Sequence, residues 1–259
     1  MRHAARSRSR RRAPLWLAGA VLALAPVPAR ASNGIHVTSG AALEGSVFGL
    51  ELRLDDPRLA PPVDAYVALG AESGLRRETS LDVEFTLDCR RLTAAEGSAG
   101  PLRFIRLLQS ADPAGVRVAL FLERVPDVGW SIGLESWDDA SAQRVLVDRA
   151  ALFPQGPAPG PVRFQVAWTA ATREPGGAGY LRLARSEPDG SWTTLFRSRE
   201  LRNAAQWIER LQIGVLAADQ PQGLSGSLLL DRFALYRSEP GRSGPVRRRV
   251  ELPAVPSPD

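Results

Sequence analysis

Short runs in which apolar and polar residues alternate set the character of this chain. Phe48, Leu50, Leu52 and Leu54 face one way, while Glu51 and Arg53 face the other. Leu81-Asp82-Val83-Glu84-Phe85-Thr86-Leu87 alternates without a fault. The run from Val116 to Glu123 does the same, except that Phe121 falls on the polar side. A period of two marks strands with one face on a core and one in water. Further runs rich in β-formers lie at Ala65–Leu69, Leu102–Leu108, Trp130–Leu134, Val145–Val147, Val162–Trp168, Gly179–Leu183, Trp192–Phe196, Leu211–Val215 and Gly226–Tyr236. Gly, Pro, Asp or Ser bounds each of them.

About twelve strands with no alternating helices predict an all-β fold, a two-sheet antiparallel β-sandwich or jelly roll with little helix. The phase of the runs predicts an inter-sheet core of Leu50, Leu52, Val83, Phe85, Val118, Leu120, Phe164, Val166, Trp168, Leu211, Ile213 and Phe233. Asp231 shares the apparent phase of Phe233, so an inward carboxylate bonded to a neighbouring turn is expected. One short helix or turn is expected at Glu200–Trp207. Residues 154–161, rich in proline and glycine, are expected to be a surface connection within a single domain.

Charge changes the picture at the N-terminus. Of 33 basic residues, all arginine, seven lie in residues 1–31 with no acid among them. The rest of the chain carries 26 basic against 28 acidic residues, so its basic pI is not a nucleic-acid signature. Arg2–Arg12, the apolar stretch 14–28 and Ala29-Arg30-Ala31 have the layout of a secretory signal peptide cleaved before Ser32. The expected plan is a signal peptide at 1–31, a jelly-roll domain at 32–238 and a disordered Pro/Arg-rich tail at 239–259. The protein is expected to be exported, periplasmic or secreted, with no membrane span in the mature chain. Its single cysteine, Cys89, is expected as a small buried residue. With only His3 and His36 available, a Cys–His nucleophile and a zinc or copper site are disfavoured.

The end of the chain carries a family resemblance. Val166-Ala167-Trp168, a Gly-rich gap and Gly179-Tyr180-Leu181-Arg182-Leu183 resemble a hairpin of bacterial concanavalin A-like (laminin-G-like) jelly rolls. Leu211–Val215 and Gly226–Phe233 resemble that family's closing strand pair, and the likeness spans roughly residues 44–237. The resemblance implies a fold whose members include lectins, glycanases, lyases and calcium-dependent adhesion modules. Two enzyme motifs of such folds are incomplete here. The glycanase pattern E-x-D-x-x-E has its nearest counterpart in Asp82, Glu84 and Asp88, which share a face but lack a carboxylate at the required step. The alginate-lyase pattern is broken by the extra arginine in Arg197–Arg202 and by Gly214 where Gln212-Ile213 would lead to a histidine.

Arginine beside nearly every acid is expected to lower carboxylate pKa values and disfavour a general acid. The first expectation is therefore a non-catalytic domain binding a glycan or a cell-envelope protein. The alternatives are a polysaccharide hydrolase or lyase and a calcium-dependent adhesion module. Trp137, Asp138, Asp139 and Trp192 are the candidate ligand-binding residues, placed at a loop rim. No catalytic residue and no cofactor is assigned. Asp138 with Asp139, or Asp55 with Asp56, offers oxygens to calcium.

Overall fold

The computed structural model describes residues 33–55, 57, 63–98, 100–110, 115–152, 160–172, 178–239 and 242–245. The leader expected at 1–31, its cleavage site and the last residues of the tail lie outside these. The strands are β1 (Gly34–Thr38), β2 (Gly49–Leu54), β3 (Ala65–Leu69), β4 (Ser80–Ala94), β5 (Leu102–Leu108), β6 (Val116–Val125) and β7 (Gly129–Asp138). They continue with β8 (Gln143–Ala151), β9 (Val162–Thr169), β10 (Gly179–Ser186), β11 (Trp192–Leu201), β12 (Arg210–Val215), β13 (Leu224–Glu239) and β14 (Arg242–Pro245).

They form two antiparallel sheets packed as a jelly-roll sandwich. The first has the order β1-β2-β13-β4-β9-β10-β11, with β14 also paired to β13; the second has the order β3-β12-β5-β6-β7-β8. Among the described residues, no helix is long and apolar enough to cross a membrane.

All twelve predicted core residues belong to one buried cluster between the sheets. Phe85 lies at its centre, with ring centroids 5.8 Å from Phe164, 5.9 Å from Phe233 and 6.2 Å from Phe104. Phe121, the apolar exception on a polar face, is nevertheless buried. It lies over Gly133, where an added Cβ would come within 2.3 Å of its ring. Glycine is required there by close approach.

Two expectations are corrected and one is narrowed. Glu200–Trp207, expected as a short helix or turn, is a turn: β11 runs to Leu201, Gln206 N bonds Asn203 O at 3.1 Å, and buried Asn203 accepts from Ala171 N at 2.8 Å and donates to Thr169 O at 3.2 Å. Those bonds to a neighbouring strand end outweigh the local helical preference of the segment. The tail is not irregular from residue 239, because β14 pairs with β13 from Tyr236↔Pro245 to Glu239↔Arg242. Asp231 does not point inward. Arg232 adopts φ 52° at a register shift in β13, which reverses the phase of the strand. Leu228, Leu230, Phe233 and Leu235 therefore lie in the main core, while Leu229 packs with Ala41 and Leu43 outside it. The structural bond to a turn is present all the same: Asp231 accepts from Leu43 N at 2.7 Å and from the Ser46 hydroxyl.

Candidate functional site

The alternation of β4 puts Asp82, Glu84, Thr86 and Asp88 on the outer face of the first sheet. Register then sets their neighbours. Tyr236 on β13 and Ala167 on β9 flank Asp82, and Arg182 and Arg197 continue that row onto β10 and β11. One step along, Ala234 and Gln165 flank Glu84. Three arginines, Arg163, Arg182 and Arg197, thus share a face with two carboxyls.

The two carboxyls live in opposite surroundings. Glu84 accepts from Arg163 Nη2 at 2.5 Å and from Gln165 Nε2 at 3.3 Å, and Gln165 in turn accepts from Arg182. Half-buried Asp82 accepts no hydrogen bond among the described residues. Burial pushes its carboxyl above the ordinary range; Arg182 opposes the shift and Glu84 adds to it. The expected lowering of carboxylates by neighbouring arginine fails here, because desolvation outweighs a guanidinium that stays one residue column away. The Nε groups of Arg163 and Arg182 are buried and have no partner. Unsatisfied groups gathered on one face ask for an explanation, and a desolvated carboxyl beside charged partners marks a functional site.

The remaining acids of the face are locked. Buried Leu87 stands where the pattern has its third carboxyl, and the outward Thr86 donates its hydroxyl to Glu44 at 3.3 Å. Asp88 is buried, but Arg90, at 2.6 Å and 3.1 Å from its Oδ2, brings it below the usual range. Next to it, burial and then the Asp88 charge push the Cys89 thiol up to about 12. We expect Cys89 to resist a thiol reagent in the folded chain and to react fully in denaturant; fast native labelling would place it at the surface.

The predicted rim residues do not form one site. Trp192 opens β11 and borders the face just described, with the Arg163 guanidinium 5.6 Å from its ring. Trp137, Asp138 and Asp139 lie on the other sheet, beside Arg202 at the far end of β11. Ten residues of strand at about 3.3 Å each separate the two groups by roughly 30 Å. Asp138 is held by Ser141, which with Arg202 keeps its pKa low. Asp139 accepts from Ala205 N and Gln206 Nε2, at 3.3 Å and 2.8 Å. Both acids fasten turns. No group of three His, Cys, Asp or Glu side chains converges among the described residues. Asp56 lies outside them.

The outer face of the second sheet carries a network that the alternation did not reveal. Fully buried Arg106 bonds Asp219 at 2.6 Å and Gly214 O at 3.1 Å. Arg103 grips Glu135 with two bonds, at 2.7 Å and 2.8 Å. A register shift between Arg103 and Ile105 places both arginines outward. The three-residue step of Arg103-Phe-Ile-Arg106 is the only sequence signal for it. Every charge in this network has a partner, so it reads as structural.

No family model matches the chain, and no characterised protein matches it by sequence. Among solved structures, an alginate lyase from Chlorella virus is similar with a TM-score of 0.41 at 9% identity, covering 74% of this chain and 77% of that one. The enzymatically active domain of tailspike protein 2 from bacteriophage CBA120 gives a TM-score of 0.42 at 11% identity, with 82% of this chain and 29% of that one covered. An alginate lyase from Pseudomonas aeruginosa gives 0.35 at 15% identity, covering 75% and 77%. Likeness at this level carries nothing about chemistry, which rests on the side chains of this chain.

Proposed function

We propose that this chain is a concanavalin A-like sandwich that cleaves an acidic polysaccharide on the outer face of its first sheet. The observation that carries the reading is the pair Asp82 and Glu84: two carboxyls on one solvent-facing strand face, one without a partner and one held by Arg163 and Gln165. Glycoside cleavage needs one carboxyl that keeps its proton and one that stays an anion. Asp82 protonates the leaving glycosidic oxygen, and Glu84 serves the anomeric side. Two strand steps set their Cα atoms about 6.6 Å apart on one face, so both carboxyls can reach one glycosidic bond. Arg163, Arg182 and Arg197 supply the positive charge that an acidic chain laid across the strands requires. The leader-like residues 1–31 fit work outside the cytoplasm.

A second reading, binding of a glycan or a cell-envelope protein without cleavage, draws on the arginine pairing of Glu84 and Asp88. A panel of uronate-containing and neutral polysaccharides, assayed for new reducing ends and for unsaturated products, separates the two. Hydrolysis of an acidic member supports the first reading. Unsaturated ends would reassign the face to elimination, and retention of glycan without turnover would favour the second.

A further inference from the structure

One end of the sandwich carries a cleft that the strand faces do not use. It consists of two neighbouring hollows, of about 270 Å³ and 450 Å³, that share Arg77 in their linings. Glu78 and Ile208 staple its two loops by reciprocal backbone bonds of 2.8 Å. The Arg77 guanidinium sits 3.9 Å over the Trp207 ring, and the Trp207 indole N–H donates to Glu209 at 2.7 Å. Arg76 and Arg210 line the smaller hollow with Glu209. Gln206 lines the larger one. Its Nε2 is committed to Trp137 O at 2.9 Å and to Asp139 at 2.8 Å, which leaves Oε1 buried and without a partner.

We propose that this cleft is a second saccharide site, for an acidic sugar unit, with Arg76, Arg77 and Arg210 for the carboxylate and Trp207 holding the Arg77 guanidinium in place. The chemistry follows from the lining. A guanidinium stacked on an indole is oriented at little entropic cost. Three arginines against one glutamate favour an anion over a neutral sugar.

The site does not rest on cleavage at Asp82, and the test keeps the two apart. The full chain carrying Asp82→Asn is titrated with a uronic-acid tetrasaccharide and with its neutral counterpart, following the indole N–H resonances. The Trp207 resonance is expected to shift with the acidic ligand, with affinity at least about tenfold above the neutral one. Arg77→Gln, at an exposed side chain, should abolish the shift or weaken binding by about tenfold, and Trp207→Ala should weaken binding by about tenfold as read by calorimetry, while Glu84→Gln leaves the Trp207 shift unchanged. A Trp207 resonance unmoved by the acidic ligand, equal affinity for the neutral one, or binding indifferent to Arg77→Gln would overturn the proposal.

Discussion

Asp82→Asn and Glu84→Gln are each expected to reduce polysaccharide cleavage by about a hundredfold to ten-thousandfold, the range of lost general acid–base help. The losses should be much less than additive, since both side chains serve one bond. The Asp82 variant also has a signature in stability. A carboxyl raised in the folded state contributes stability that is fully present below its unfolded value of about 3.9 and is lost as pH rises through the folded value. Asn carries no such loss. Asp82→Asn should therefore melt at or above the wild type at neutral pH and give up that advantage in acid. Less activity with no less stability is what a functional, desolvated carboxyl produces. A variant destabilised at neutral pH would mean that the Asp82 charge has a structural partner.

Phe164→Ala is expected to cost about 3–5 kcal/mol of folding stability. Phe164 is fully buried, stacks on Phe85 and sits in the central strand β9, whose neighbours β4 and β10 leave it no route to collapse. Equilibrium denaturation measures this, with an unchanged dependence on denaturant showing that the denatured state is unaltered. A loss below about 1 kcal/mol would mean that the two sheets do not meet at this ring.

How far the sequence could be followed depends on which elements were regular. Strict alternation in β4 and β9 exposed both the inward row at Phe85 and Phe164 and the outward row at Asp82, Glu84 and Gln165. Alternation fails where a single residue leaves the β region: Arg232 at φ 52° reversed the side on which Asp231 lies. It is equally silent on distance between strands. Asp82 meets Arg182 only across β9, and no local pattern says that burial would win over that charge. Trp137 and Trp192 looked alike as loop aromatics, yet the length of β11 holds them apart. The reading of Glu200–Trp207 as a short helix or turn says nothing of what Trp207 and Gln206 meet. Their surroundings come from the 70–79 loop, more than a hundred residues away in the chain.

The cleavage rate on an acidic polysaccharide as a function of pH tests the central claim most directly. The account predicts a bell in which activity falls with rising pH as Asp82 loses its proton. It also predicts that Arg182→Gln moves that limb to higher pH, because the guanidinium favours the charged carboxyl. Absence of cleavage across the panel, or a profile whose alkaline limb survives Asp82→Asn and ignores Arg182→Gln, would contradict it.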